Sequence, residues 1–415
     1  MKTIILTMLM LALAYLSDAQ NVNIPDEFFK SALIVAGVDA NDDVEISTTE
    51  AEAITFLDVT NKNISDMTGI EAFVNLDTLY CSNNNITSLN VSSSPDLTVL
   101  RCWSNHITGL DISGCTALKE LDCGDNNLTS LDVSNNTALR YLDCHGFQLN
   151  ILDVSSNTDL LYLDCSQNLI TSLDVSSNTD LEELRCGETQ FTSLDLSNNA
   201  ALKYIQCGAS QLTSLNVSGC VALTELYCGS TQLTSLNVSD CSALDYLNCD
   251  WSQLTGLNVS GCTALKELHC SGNQLATLNI YYNTALEYLD LSWMPTLNDV
   301  CVWEEPFPPA GVEANTEGST NVNFTTDCAV SIPNGYKENS TLDIYPNPSD
   351  GIINIEIESI NIAVIEIYNV NGTLILSKEI DSKSEKINIS NFPKGIYTVR
   401  LIKDRAVNFG KVVVK

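Results

Sequence analysis

Eleven leucines recur at one spacing of 21 residues, at Leu76, Leu97, Leu118, Leu139, Leu160, Leu181, Leu202, Leu223, Leu244, Leu265 and Leu286. A strict short period constrains a chain more tightly than its composition does. Each unit reads like Leu118-x-x-Leu121-x-Cys123-x-x-Asn126-x-Leu128-x-x-Leu131-x-Val133. One unit has no interior of its own. Units stacked coil on coil bury their apolar edges against each other as a continuous core. Such an array offers a surface rather than a cleft.

Leu118, Leu121 and Cys123 suit a short strand, and the remainder of 21 residues has no room for a long helix. The backs of the coils are therefore predicted to be extended or a single helical turn. Parallel strands stack at ~4.8 Å, so eleven coils span roughly 50 Å. The fold class expected is a solenoid with a parallel β-sheet on its concave face and short non-helical backs.

Sixteen cysteines in an exported chain would normally suggest disulfides. The spacing argues otherwise. Cys81, Cys102, Cys123, Cys144, Cys165, Cys186, Cys207, Cys228, Cys249 and Cys270 fill one slot of ten consecutive units. Equivalent side chains on stacked strands point the same way at ~4.8 Å, whereas a disulfide needs converging Cβ atoms nearer ~3.8 Å. A ladder of buried free thiols is expected, with Cys115, Cys220, Cys241 and Cys262 in a second slot near the end of the unit. Cys301 and Cys328 alone lie outside the array and are expected to pair.

The flanks differ from the array. Residues 1–19 carry Lys2, an apolar run from Ile4 to Leu16, and Ser17-Asp18-Ala19 before Gln20, the pattern of a secretory signal peptide. No later apolar run is long enough to span a bilayer. Residues 20–53 show helical spacing at Ile24, Phe28, Phe29, Leu33 and Ile34, with Pro25 at a helix start, and are expected to cap the first open edge. The array is assigned to residues 54–300, and the Pro-rich stretch 301–341 to a closing cap and linker. Residues 342–415 hold several β-rich runs separated by turn signals, the pattern of a small β-sandwich.

The net charge of −33 is unevenly placed, because residues 342–415 hold nine acidic and nine basic side chains and contribute none of it. The acid belongs to the array and its N-terminal flank. It repels nucleic acid and anionic membrane and suits divalent cations or basic partners.

Three resemblances follow from these motifs. The in-register Leu-x-x-Leu-x-Cys-x-x-Asn-x-Leu core resembles the leucine-rich repeat, and its short unit with a cysteine slot is similar to internalin-type bacterial surface proteins. The Asn of that pattern stands at Asn84, Asn105, Asn126, Asn168 and Asn273 but is replaced at Phe147, Thr189, Ser210, Thr231 and Ser252. Because Thr and Ser offer fewer bonds than an amide, reduced regularity is expected from Phe147 to Ser252. The tail, with Tyr345-Pro346-Asn347-Pro348-Ser349-x-Gly351, Ile367-Tyr368-Asn369-x-x-Gly372 and Gly395-Ile396-Tyr397-x-Val399, resembles the sorting domain of the type IX secretion system of Bacteroidetes, with an Ig-like fold. That resemblance implies export by the type IX machinery to the outer-membrane surface or the medium. Asp39-x-Asn41-x-Asp43-x-Glu45-x-Ser47-x-x-Glu50 resembles the calcium loop of EF-hands and dockerins. That resemblance implies side-chain oxygens from Asp39, Asn41 and Asp43, the Glu45 carbonyl, a contact from Ser47 and a bidentate Glu50. Val44 stands where that loop uses Gly. The alternative is a capping helix beside an acidic turn.

A ligand would meet the outward positions of the sheet, the third and fifth of each unit, with the seventh and eighth at the rim. The third holds Tyr141, Tyr162, Tyr204, Tyr246 and Tyr288; the fifth holds Tyr80 and Tyr227. Trp103, Trp251 and Trp293 fall at the rim. Aromatics with a polar tip are favoured where proteins recognise partners. The fifth position also carries the column Arg101, Asp122, Asp143, Asp164 and Arg185, whose terminal arginines are expected to offset part of the carboxylate repulsion. A back column, Asp111 to Asp195 and then Asn216 to Asn279, reads as structural. His106, His145 and His269 are scattered, without a nucleophile in a suitable setting, so no enzyme is expected. The expected function is binding of a protein or glycan through the concave aromatic and acidic face by a monomer that needs no resident cofactor, unless the Asp39 loop takes calcium. The alternative is a structural surface coat with no specific ligand.

Overall fold

The computed structural model describes residues 20–146, 148–326, 343–349, 351–356, 363–368, 374–380, 384–403 and 406–415. Residues 1–19, Phe147 and Cys328 lie outside them. The residues up to Thr326 form one compact unit and the described residues from Asp343 onward belong to a second.

The leucine period becomes a parallel solenoid. Three-residue strands stack into one front sheet of 13 strands, from Phe56–Asp58 to Glu313–Asn315. Through the regular coils each residue pairs with the one 21 positions on, as Asp122 with Asp143 and Asp143 with Asp164. Inward Leu and Cys side chains from every coil merge into one continuous core. The ten-cysteine ladder and the four second-slot cysteines are buried and free. Burial pushes their thiols up, Cys207 to about 12, so they act as small hydrophobes rather than nucleophiles. Cys301 is disulfide-bonded; the pairing expected for it falls on Cys328, outside the described residues.

Two polar ladders accompany the core. At the ninth position, Asn126 Nδ2 donates to the carbonyls of Cys123 and Cys102 at 2.9 and 3.0 Å, and its Oδ1 accepts from Ile107 N. Thr189 and Ser210 each donate only to the carbonyl three residues back. On the front the register is kept there, because the main chain carries it by itself: Cys186 N donates to Gln206 O and Cys207 N to Tyr227 O, and the front sheet runs through unbroken. The second ladder, at the nineteenth position, alternates blocks of Asn and Cys. Asn157 Nδ2 and Cys220 Sγ each donate to the carbonyl 24 residues earlier. The thiol replaces the amide as donor without leaving an oxygen behind. The Oδ1 atoms of Asn136, Asn157, Asn178, Asn199 and Asn283 are buried with no protein partner.

Irregularity lies instead on the back. Short strand pairs join Ser88–Asn90 to Gly109–Asp111, Ser193–Asp195 to Ser214–Asn216, and Ser235–Asn237 to Gly256–Asn258. Each pair sets an Asn against an Asp or another Asn. Across the four Asp-to-Asp steps from Asp111 to Asp195 no back strand pairs among the described residues, and the single steps from Asn216 to Asn237 and from Asn258 to Asn279 are unpaired as well. An amide can donate to its neighbour, as Asn216 Nδ2 does to Asp195 Oδ1 at 2.9 Å, whereas facing carboxylates repel. Each Asp of the column still accepts from a turn amide two residues on, as Asp153 does from Ser155.

The N-terminal cap is built around α1, Glu27–Val35. Its N-cap is Asp26, with Pro25 just before it rather than at the first helical position. Asp26 Oδ1 accepts from Phe29 N and Oδ2 from Ser65 and Asp66, tying the helix to the first coil. Phe29 and Leu33 close the end of the core. A second, one-turn helix, α2 (Thr48–Glu52), begins at a reciprocal capping box between Ser47 and Glu50.

The array continues one coil beyond the boundary expected at residue 300. Glu313–Asn315 joins the front sheet and Asn323–Thr325 pairs with Asp299–Cys301 on the back. This coil escapes a 21-residue period because Tyr288 pairs with Glu313, 25 positions away. Ala314 takes the leucine slot. Trp303, Phe307 and Phe324 pack ring on ring beside it, filling space that leucines occupy elsewhere.

The second unit is a β-sandwich. An antiparallel sheet of Asp343–Tyr345, Ile352–Glu356 and Ser384–Asn388 accompanies one of Leu374–Ile380, Ala363–Tyr368, Gly395–Lys403 and Ala406–Val414. Ile353, Ile355 and Ile387 from the first meet Ile365, Ile367, Val399 and Val412 from the second in one core.

Candidate functional site

The front sheet leaves two columns pointing outward. All seven expected tyrosines lie there, partly exposed, and the sheet divides them into two segments of different chemistry.

Toward the C-terminal end, five rings touch in a zigzag: Tyr204, Tyr227, Tyr246, His269 and Tyr288, with successive centroids 5.4, 4.8, 5.2 and 5.0 Å apart. The zigzag follows from a superperiod of two coils. Tyr alternates with Glu in the third column, from Tyr162 and Glu183 through Tyr288 and Glu313. In each glutamate coil from Glu183 to Glu267 the fifth position supplies a partner. Arg185 Nε lies 2.7 Å from Glu183, Tyr227 donates to Glu225 at 3.0 Å, and His269 Nε2 lies 3.3 Å from Glu267. The 42-residue alternation is legible in the sequence as Glu-x-Arg/Tyr/His against Tyr-x-Gln/Asn/Asp, and it places His269 in the site, a residue the single-unit reading left out. Burial pushes the Tyr204, Tyr246 and Tyr288 phenols up, so they stay neutral donors.

Toward the N-terminal end, Tyr141 and Tyr162 stack at 4.3 Å beside the carboxylates of Asp122, Asp143 and Asp164. His145 Nδ1 lies 2.6 Å from Asp143 Oδ1 and its Nε2 3.7 Å from Asp125 Oδ2. Two glycines make room: a Cβ on Gly124 would stand 2.6 Å from His145 Cε1, and one on Gly146 2.6 Å from Asp125 Oδ1. The bond to Asp143 raises His145 to about 9, so it carries a proton at neutral pH. Burial, then Asp143, raises Asp122 to about 6; burial also raises Asp164. Ligand atoms of Asp143, His145 and Asp164 lie within 4.8 Å of one another and could hold a metal ion.

Arg101 offsets part of the charge at Asp122, as expected, and both end arginines also reach into the neighbouring column. Arg101 pairs with Glu120 at 3.5 Å and stacks on Tyr80 at 5.1 Å; Arg185 bonds Glu183 and stacks on Tyr204 at 5.0 Å. Their planar guanidinium groups suit a ring face and a carboxylate together, and His145 adds a second cation beside the aspartates.

The eighth position forms a spine of left-handed backbone. Asn83, Ser104, Asp125, Gly146, Gln167, Glu188, Ala209, Ser230, Trp251, Gly272 and Trp293 all have φ between 51° and 81°. This conformation costs roughly 1–2 kcal/mol for residues with a Cβ. Trp251 and Trp293 hold it while remaining 60% and 53% exposed, and Trp103, one position earlier, is 38% exposed.

In the cap, the Asp39 loop curls inward. Asp39 accepts from the amides of Asp43 and Val44, Asn41 from Asp43, and Asp43 from Glu45. Glu50 reaches back to Ala40 N and Ser47 N, and the Glu45 side chain pairs with Lys30 at 2.8 Å. Val44 adopts φ 70°, the left-handed turn for which the loop ordinarily uses Gly. Asp39, Asn41, Asp43 and Glu50 are hard oxygen donors of the kind calcium takes, each accepting here from backbone amides of the loop, and among the described residues their ligand atoms do not gather as those of Asp143, His145 and Asp164 do.

Comparison with known proteins agrees with this architecture. Residues 343–415 match the secretion system C-terminal sorting domain, and residues 24–168 match the leucine-rich repeat domain of the endo-β-N-acetylglucosaminidase EndoS. The functional domain of InlJ from Listeria monocytogenes, itself described as including a cysteine ladder, is 26% identical. That match covers 95% of this chain and 98% of the InlJ chain, with a TM-score of 0.51. The leucine-rich repeat domain of APL1 shares the fold at 19% identity and a TM-score of 0.52, over 72% of this chain and 84% of its own. No curated protein matches the chain. Among the described residues no helix is long and apolar enough to cross a membrane.

Proposed function

We propose that this internalin-like leucine-rich repeat protein, marked by its type IX sorting domain for secretion and attachment to or release from the cell surface, binds an extracellular protein or glycan through its front face. The observation that carries the reading is the run of five touching, partly exposed rings from Tyr204 to Tyr288. Ordered rings with polar tips are costly to leave at a surface and are what recognition surfaces bury. The acidic segment around Asp143 favours a ligand without negative charge there and offers a place for a basic group. The reading assigns the face to binding rather than catalysis, because the ladder thiols are buried and pushed up.

The test is the triple variant Tyr162→Ser, Tyr204→Ser and Tyr246→Ser, assayed against cell-surface extracts and a glycan array. Lost binding with an unchanged circular dichroism spectrum supports the proposal. A variant that binds and assembles on the surface like the parent would favour the alternative, a structural coat in which the aromatics are incidental.

A calcium ion in the Asp39 loop is part of the same proposal, supported by the hard-donor set and the left-handed Val44. It would brace the cap against the first coil. Calorimetry should show uptake that Glu50→Gln removes; no heat at millimolar calcium would sink the idea.

A further inference from the structure

The superperiod of the front face extends to its rim. Tyr204, Tyr246 and Tyr288 recur every 42 residues, and so do Trp251 and Trp293. Each tryptophan is matched by a glycine in the following coil. A Cβ on Gly272 would stand 2.6 Å from Trp251 Cε3 and 2.7 Å from its Cδ2. One on Gly318 would stand 2.8 and 3.0 Å from the same atoms of Trp293. The same construction thus appears twice: an indole at a strained, exposed position, resting against the next coil where the side chain has been removed. The second instance keeps its glycine although the coil there is lengthened. Between them, the two indoles span four successive coils beside the ring zigzag.

A surface that repeats every two coils fits a ligand with that repeat. Two strand spacings are roughly 9.6 Å, the advance of two pyranose rings in an extended β-1,4-linked glycan. Apolar sugar faces stack on indoles, and the alternating Glu225 and Glu267, with Asn248 and Asp290, supply acceptors and donors for hydroxyls between the rungs. The charge selects further. Asp250 at the foot of Trp251, with the glutamates and the acidic array, repels uronic, sulfated or sialylated chains and tolerates neutral ones. A protein partner would not generally share the two-coil period.

We propose that the C-terminal half of the solenoid binds a neutral, linear β-1,4-linked glycan along its axis, with sugars stacked on Trp251 and Trp293. This rests on the front-face reading above and names its ligand class.

The full chain is titrated with cellohexaose, mannohexaose and chitohexaose, with β-1,4-linked hexamannuronate as the anionic control, by calorimetry and tryptophan fluorescence. At least one neutral hexasaccharide should bind and perturb the fluorescence, and hexamannuronate should not. Trp251→Ser and Trp293→Ser should each weaken binding roughly tenfold, while Val221→Ser, in an exposed turn away from the face, leaves it unchanged. Serine is accommodated in this slot at Ser104 and Ser230 with φ 56°. Gly272→Ala retains both indoles but displaces one, and should also weaken binding; alanine stands in the same slot at Ala209. Failure of all three hexasaccharides to bind, or undiminished binding by the tryptophan variants, overturns the proposal. If the tyrosine triple variant then still loses a protein partner, the glycan is wrong and the front-face reading stands. If it loses nothing, both fall.

Discussion

The two segments of the front sheet share one backbone and carry different chemistry. Around Asp143 the outward columns gather carboxylates about a single protonated histidine and a stacked tyrosine pair. From Tyr204 to Tyr288 they alternate Tyr with Glu and build a ribbon of rings. Register, spacing and inward leucines are the same in both. The comparison teaches that in a solenoid the inward slots are set by packing, while the outward slots vary at little cost to the fold. Selection for a ligand can therefore be written on the outward slots coil by coil.

The largest effect should come from breaking the shared scaffold. Leu142→Ala and Leu226→Ala remove equivalent fully buried side chains, one from each segment. Each should cost about 2–5 kcal/mol by chemical denaturation. Strongly unequal costs would mean that the segments are not one scaffold. Cys186→Ser tests the ladder next. It places a hydroxyl in an apolar slot, and a loss of about 1–3 kcal/mol is expected; an unchanged midpoint would mean that the slot is wet.

Acidity should separate the segments. His145 holds its proton to about 9 against an ordinary 6.5. A group whose pKa is raised on folding contributes stability that is complete below 6.5 and lost as pH rises through 9. Thermal melts should therefore decline across that window, and His145→Gln should flatten the decline, whereas Tyr246→Ser in the other segment should leave it in place. A histidine variant with the parental profile would show that the imidazole is not the counter-ion of the aspartate column. The smallest effect concerns the back. Asp153→Asn gives the unpaired stretch an amide like Asn237 or Asn258, and should add roughly 0.2–1 kcal/mol with slower hydrogen exchange near residues 151–153. Faster exchange there would refute the account of why those strands fail to pair.

Much of this was legible before any coordinates. The 21-residue period required a solenoid, the cysteine spacing excluded disulfides within the ladder, and the outward tyrosines could be assigned by counting. Legibility failed where a residue's role depends on a neighbour outside its own unit. Arg101 and Arg185 stand in the aspartate column, and Arg101 does offset part of the charge at Asp122, but that each also sits on a tyrosine and bonds a glutamate of the adjacent column is not written in the single unit. The final coil was hidden because its insertion destroyed the period on which recognition relied.

What the sequence determined alone is everything that repeats: coil length, the inward face and the columns in which each side chain stands. Repetition makes these readable, because a slot filled alike in ten coils reports one environment ten times over. Only the tertiary structure decided what happens between unlike residues in adjacent coils. It showed that Trp251 rests on Gly272, that His145 is clamped between Asp143 and Asp125, and that Asp-to-Asp steps leave the back unpaired. The reason is physical: these outcomes turn on contact distances between side chains 20 or more residues apart, which a periodic pattern brings close without specifying how they meet.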